Sequence, residues 1–216
     1  MSFLAQINLE EVASYDTEKV LPSTGILYFF YDSQQETWGF DPKDKGSWRV
    51  IYFDGDKSEL KRVSLPENMP KEGIFTACRL ELKSELSLPA CESKYIDEIM
   101  LSDKESDAYF DFCDELQQDS VINKLLGHPD QIQGDMQLEV QLVSNGLYCG
   151  NSSGYLDPRA KELKKGVREW RLLLQIDSDP NCNMMWGDVG RLYFWIKNDD
   201  LLNRRFENVW MILECS

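Results

Sequence analysis

The chain of 216 residues contains one histidine, and no two of its six cysteines are spaced C-x-x-C. A zinc ribbon and a thioredoxin-type redox pair both need that spacing, so neither is encoded. The phosphate-cradling loops G-x-x-x-x-G-K-S/T and G-x-G-x-x-G are missing, as is the zinc-binding helix H-E-x-x-H. No apolar run reaches the roughly 18 residues of a membrane-spanning helix. The N-terminus has neither the charged nor the apolar region of a signal peptide. Basic charge is scarce, with 23 Lys and Arg against 38 Asp and Glu and a net charge of −15. Nucleic-acid binding needs clustered cations, and anionic membrane repels such a surface, so neither partner is expected. Without a signal peptide the cytoplasm is the expected compartment, and reduced thiols are expected there. In that compartment the glycosylation sequon Asn151-Ser152-Ser153 has no meaning.

What is present is a correspondence between the two ends. Phe3-Leu4-Ala5-Gln6-Ile7-Asn8 is followed by Gly25-Ile26-Leu27-Tyr28-Phe29-Phe30-Tyr31. Leu172-Leu173-Leu174-Gln175-Ile176-Asp177 is followed by Gly190-Arg191-Leu192-Tyr193-Phe194-Trp195-Ile196. A third apolar run closes each set, Trp48 to Phe53 and Val209 to Cys215. The same order at both ends argues a duplicated β unit, with boundaries near residues 2–60 and 168–216. Because the units sit at the termini, one domain over residues 1–216 is expected rather than two halves. Apolar content of 42% is ample for a core. The run Ile26 to Tyr31 has no polar face, which predicts a strand covered on both sides.

Between the units, Cys78 to Leu88 alternates leucine with polar residues and predicts a strand. Ile96, Ile99 and Met100 fall on one helical face. Ser102 and Asp103 read as N-caps of a helix carrying Tyr109, Phe110, Phe112, Cys113 and Leu116 at spacings of three and four. Val121 to Leu126 reads as a short apolar turn or helix ending at Gly127. Gln137 to Val143 alternates and reads as a strand, and Asp157-Pro158 opens a helix running toward Glu169. Helices and strands with no regular βαβ rhythm give an α+β fold of mostly antiparallel sheet with a helical middle.

These blocks together resemble a known family. Leu4-Ala5-Gln6-Ile7, Leu126-Gly127-His128-Pro129, Gln133-Gly134-Asp135-Met136, Leu173-Leu174-Gln175-Ile176-Asp177, Trp186-Gly187-Asp188 and Leu192-Tyr193-Phe194 occur in that order. The ensemble looks like the YwqG-like family of bacteria, a domain of unknown function. The resemblance spans nearly the whole chain and implies an internally duplicated α+β fold without an established activity. Members usually carry a Gly- and Pro-rich segment before the first strand. This chain starts at that strand, as a truncated or shorter member does.

Chemistry-bearing residues are few. Gly150-Asn151-Ser152-Ser153-Gly154 matches the nucleophile elbow G-x-S-x-G, but no helix signal follows directly and the single histidine precedes the serine. A glycine- and serine-rich turn is the expected reading. His128 could serve as a base or ligand, although Gly127-His128-Pro129 also reads as a turn. Asp177, Asp179, Asn181 and Asp188 hold positions 1, 3, 5 and 12 of a calcium-type loop, yet Cys182 stands where glycine makes the turn. A solvated loop is expected there, with no metal and no cofactor. Trp186 either closes the core or grips a partner. Gln6 and Gln175, matched in both units, either tie down neighbouring loops or line a shared groove.

Charge is segregated. The stretch from Glu92 to Asp119 carries ten Asp or Glu against two Lys, and Arg159 to Arg171 carries six Lys or Arg against two Glu. Both fit solvated helical faces, and the acidic stretch also fits a docking surface for a basic partner. The reading for the whole is a non-enzymatic interaction module that binds a protein or peptide with a basic surface. The alternative is a small-molecule or divalent-cation site between the repeats, built around Asp177, Asp179, Trp186, Asp188 and His128, with Gln6 and Gln175 as further candidates for a ligand or partner site.

Overall fold

In the computed structural model, which describes residues 1–91, 93–116 and 121–215, the strands form two antiparallel sheets. The first contains β1 (Ser2–Asn8), β2 (Ile26–Tyr31) and β3 (Trp48–Phe53), in that order. The second contains β4 (Lys124–Leu125), β5 (Trp170–Asp177), β6 (Arg191–Lys197) and β7 (Trp210–Glu214), also in order. Short helix α1 (Leu9–Val12) follows β1, and α2 (Lys94–Asp97) and α3 (Asp103–Leu116) occupy the middle. Helices α4 (Met136–Val143), α5 (Ser152–Leu156) and α6 (Ala160–Leu163) precede β5, and α7 (Asn198–Leu202) links β6 to β7. One apolar cluster draws residues from both sheets and from α4, so the chain is a single α+β domain.

The terminal units agree strand by strand. Both run antiparallel in chain order, and both carry a register shift at the same place, Phe3/Ala5 in β1 and Leu172/Leu174 in β5. Gly25 and Gly190, each just before the middle strand, explain why that position is glycine in both. A Cβ on Gly25 would stand 2.7 Å from the carbonyl oxygen of Phe53, and one on Gly190 would stand 2.2 Å from that of Glu214. The third strand of each unit approaches too closely for a side chain.

The sheets face each other through aromatic rings. Phe29 and Phe194, both fully buried, meet edge to face with centroids 5.2 Å apart. Tyr31 and Trp186 meet the same way at 5.9 Å, and Trp48 meets Trp210 at 5.0 Å. The second sheet is buried on both faces along β6 and β7. The first is not. Leu27, Phe29 and Tyr31 face the core, whereas Tyr28 and Phe30 are only half-buried on the outer side. The expected two-sided cover therefore holds for β6 and fails for β2. Apolar residues on both faces do not reveal whether a second layer exists to cover them.

Several local expectations are corrected. Residues 78–88 form no strand, and Leu80 and Leu86 are exposed. Alternation stabilises a strand only where a neighbouring strand takes its hydrogen bonds. Residues 121–126 contain the strand β4 rather than a helix. The expected strand 137–143 is helix α4, capped by Asp135, whose carboxylate accepts from the Leu138 N–H at 3.1 Å. Its glutamines resembled a wet face because they are polar, yet they are buried and bonded. Gln137 Nε2 donates to the Trp170 carbonyl at 2.8 Å, and Gln141 Oε1 accepts from the Trp170 indole at 2.7 Å. The helix expected to run from Asp157 toward Glu169 is divided into α6 and a 3-10 turn over Lys164–Glu169, with the poor helix former Gly166 inside the turn. Helix α2 ends before Ile99 and Met100, which are exposed, while Ile96 is buried. Helix α3 opens at Ser102 with one half of a capping box, Glu105 Oε2 reaching back to accept from the Ser102 N–H and also from its hydroxyl. Its Phe110 and Phe112 face solvent instead of the core. The Leu116 side chain, Glu92 and Asp119 lie outside the described residues.

All six cysteines are free thiols. Replacing Phe29 or Phe194 with Ala should lower stability by about 3–5 kcal/mol, the usual range for a buried Phe. Chemical denaturation measures this, and a loss below about 1 kcal/mol would show that the pair does not anchor the two sheets.

Candidate functional site

The densest group of polar side chains lies on the face of the second sheet turned away from the first. Strand register puts Asp177, Arg191 and Glu214 in one cross-strand row, and Gln175, Tyr193 and Ile212 in the next. Residues 121–133 run across these rows. Gln175, fully buried, uses its whole amide: Nε2 donates to the Ile122 carbonyl at 2.8 Å and to Asp130 Oδ2 at 3.0 Å, and Oε1 accepts from the Asp130 N–H at 2.9 Å. The Tyr193 hydroxyl and Arg191 Nη1 both donate to the Asp130 carbonyl, at 2.7 and 2.9 Å. Asp177 accepts from the Ile122 N–H at 2.8 Å. Glu214 accepts from the N–H groups of Ile132 and Gln133 at 2.8 and 3.0 Å. Lys124 pairs with Asp130 at 2.7 Å.

The electrostatics follow from that geometry. Burial works against the charge on Arg191, but Asp177 at 3.1 Å and Tyr193 hold its pKa above the usual value. Burial, reinforced by Glu214, pushes the Tyr193 phenol upward, so it stays a hydrogen-bond donor. Each ionised group faces a backbone group or a countercharge, as buried charges require. The arrangement holds a loop in place. Asp130, Arg191 and Glu214 were missed in the sequence reading. Their signal was there: Asp130 follows Gly127-His128-Pro129, and Arg191 and Glu214 are charged residues inside otherwise apolar strands.

The residues singled out from sequence are dispersed. Trp186 is in the core, between Tyr31 and Phe75, with its indole donating to the Asp177 carbonyl at 3.2 Å. Asp188 is exposed two residues later. The His128 ring meets Tyr95 edge to face at 5.4 Å, and the His128 backbone N–H donates to Ser87 Oγ at 2.9 Å. Burial, aided by the nearby Lys124, lowers the His128 pKa, so the ring is neutral near pH 7. Gln175 ties a loop, while Gln6 is exposed on the outer face of β1, so the two line no common groove. Two surface concavities, one of about 470 Å³ along β3 and residues 204–209, are lined by none of these five.

The calcium-type loop is also organised internally. Asp179 accepts from the Asn181 N–H at 2.8 Å, and Asp177 faces Arg191. Among the described residues, no group of three or more His, Cys, Asp or Glu is placed to hold a metal ion. Ser152 does begin a helix, α5, capped by Asn151, but no strand lies between α4 and that serine, so the elbow is not formed.

A second cluster joins α4 to α5. The Tyr155 hydroxyl donates to Glu139 Oε2 at 3.2 Å, and the Cys149 thiol lies 3.9 Å from the Glu139 carbonyl. Burial raises the Cys149 pKa to about 12, with Glu139 adding to the effect. A thiol held protonated is a poor nucleophile. Burial also lifts the Glu139 carboxyl to about 7, against the hydrogen bond from Tyr155 and with help from Glu214.

The chain belongs to the family described as Domain of unknown function (DUF1963), whose model matches residues 1–215. No curated protein matches it.

Two predictions follow from the geometry. Glu139 binds its proton more tightly in the folded protein than at its ordinary value of 4.5. Its contribution to stability is complete below about pH 4.5 and is lost as pH rises through about 7. The loss is on the order of 3 kcal/mol. Glu139→Gln should flatten this part of the pH profile and raise the melting temperature at alkaline pH; an unchanged profile contradicts the assignment. Millimolar calcium should shift the melting temperature no more than it does for Asp188→Asn. A rise that this variant abolishes would place a cation in the loop.

Proposed function

We propose that the protein is a non-enzymatic interaction module, of the YwqG-like kind and cytoplasmic, that binds a protein partner with a basic surface. The observation that carries this reading is helix α3. Asp103, Glu105, Asp107, Asp111 and Glu115 are exposed along it, and Phe110 and Phe112 stand among them at 54% and 50% exposure. Among the described residues, α3 contributes nothing to the hydrophobic core. Its tether is the Tyr109 hydroxyl, which donates to the Pro89 carbonyl at 2.7 Å.

Folding alone gives no reason to leave two phenylalanines in water. Aromatic anchors ringed by like charge suit a partner that covers the rings and brings cations to the rim. The net charge of −15 adds long-range attraction for such a partner. The matched registers support reading the two β units as copies of one ancestral unit, a scaffold on which α3 is an insertion. Among the described residues, no helix is long and apolar enough to cross a membrane.

Affinity capture from native cytoplasm, followed by mass spectrometry, tests the reading. The Phe110→Ser/Phe112→Ser variant should lose the captured partner while its stability changes by no more than about 0.5 kcal/mol, as for exposed sites. Association should also slow as salt is raised. A partner held equally by the variant, or at a rate indifferent to salt, would sink the proposal.

A further inference from the structure

The two β units carry the same cross-strand row, and the structure covers only one of them. In the second sheet the row is Gln175, Tyr193 and Ile212. In the first it is Gln6, Tyr28 and Ile51, the same three residue types in the same register. Around the second row, residues 121–133 supply the backbone groups that Gln175 and Tyr193 bind. Among the described residues, nothing comparable lies around the first row. Ile51 is 42% exposed and Phe3 46%, Gln6 is exposed, and Tyr28 and Phe30 are half-buried. Phe3 stacks obliquely on Phe30 and Tyr28 at 5.7 and 6.5 Å, so the aromatic side chains form a continuous surface. Among the described residues, neither the Gln6 amide nor the Tyr28 hydroxyl has a hydrogen-bond partner.

We propose that the outer face of β1, β2 and β3 is a docking site for a peptide segment of a partner protein, gripped through its main chain by Gln6 and Tyr28. The chain itself supplies the precedent, since residues 121–133, a short strand at Lys124–Leu125 that turns at Leu126 and Gly127, cover the same row on the sister sheet. A side-chain amide that both donates and accepts, beside a phenol, suits successive peptide groups. The apolar side chains of the segment rest on Phe3, Phe30 and Ile51.

The neighbouring rows set the chemistry of the occupant. Asn8, Ile26 and Phe53 stand where the second sheet has Asp177, Arg191 and Glu214, and Asn8 is already engaged by Lys57 at 3.1 Å and Glu11 at 2.8 Å, so this end of the face already has its polar partners. At the other end Arg49, exposed and opposite Phe30, has no carboxylate partner among the described residues. It favours an Asp or Glu in the segment. Arg49 and Ile51 also line the concavity of about 470 Å³ along β3, which leaves room for side chains that overhang the edge. This site goes beyond the α3 reading and shares no residue with it.

The test is titration of the ¹⁵N-labelled protein with a capped synthetic peptide bearing the sequence of residues 121–133. Saturable shifts at Gln6, Tyr28 and Phe30 are expected. Gln6→Leu/Tyr28→Phe, which keeps the apolar bulk, should weaken binding roughly tenfold, as loss of one or two hydrogen bonds implies. Phe3→Glu should weaken it as well, which guards against a folding defect in the first variant. A version with Asp placed to meet Arg49 should bind more tightly, and Arg49→Glu should remove that gain. Phe110→Ser/Phe112→Ser should leave the titration unchanged, which separates this site from α3. The proposal is overturned by absence of saturable shifts, or by shifts at Gln175 and Tyr193 instead. It is equally overturned by unaltered binding in both face variants, by a single-stranded oligonucleotide competing for the face, or by a self-dimer that Phe3→Glu dissociates.

Discussion

Burial of β6 on both faces is the constraint from which the rest of the architecture follows. One face is apolar, and Phe194 meets Phe29 across it, which requires the first sheet as a cover. The other face carries Arg191 and Tyr193 with Gln175, Asp177 and Glu214 on the adjacent strands. Polar groups buried without partners cost several kcal/mol each, so that face is stable only when something supplies partners. Residues 121–133 do so with backbone groups from Ile122 to Gln133. The polar row and the irregular segment therefore depend on each other. Apart from the two residues of β4, the segment follows an irregular path over the sheet because the row pairs several of its N–H and C=O groups.

This mutual dependence explains what could be read from the sequence. The strands of both terminal units were legible because each is largely apolar and each middle strand follows a glycine, Gly25 or Gly190, in a matching order at both ends. The role of Gln175 as a tie was open to reasoning because a glutamine inside an apolar strand must find hydrogen bonds. The middle was read less well. Alternation in residues 137–143 arose from Gln137 and Gln141, which are buried against Trp170 rather than solvated, and pattern alone cannot distinguish those environments. The alternating leucines of residues 78–88 lacked a strand to pair with, and pairing is non-local information. At the candidate site, the residue types were visible but their convergence was not. Trp186 and Asp188 are two positions apart in sequence, yet one is in the core and the other in water.

Charge is distributed by the same logic. Of the buried carboxylates, Asp177 and Glu214 belong to the network around Asp130 and Arg191, Asp16 accepts from the Leu21 N–H and Asp200 pairs with Arg205, so each has a countercharge or a peptide dipole. Carboxylates without such partners stand at the surface, many of them on α3, which contributes nothing to the core. The large negative charge is thus largely external to the fold. It opposes compaction weakly, because separated surface charges are screened over about 8–10 Å of salt solution. A fold that keeps its excess charge on a peripheral helix leaves that helix free to change without disturbing the core.

The two units show how one strand pattern leads to different surfaces. Both retain the Gln, Tyr and Ile row, the glycine before the middle strand and the shift in the first strand. They differ in the next row, where Asp177, Arg191 and Glu214 replace Asn8, Ile26 and Phe53. The charged version sits under a cover that supplies its partners, since Asp177 and Glu214 accept from backbone N–H groups of residues 122, 132 and 133 and Arg191 donates to the Asp130 carbonyl. The neutral version requires none. Ile26 is buried, Asn8 bonds locally to Glu11 at 2.8 Å, and the remaining face presents rings that water tolerates. A covered and an open copy of the same surface can therefore coexist in one chain. The polar row beside the shared one determines which of the two is closed by the protein itself.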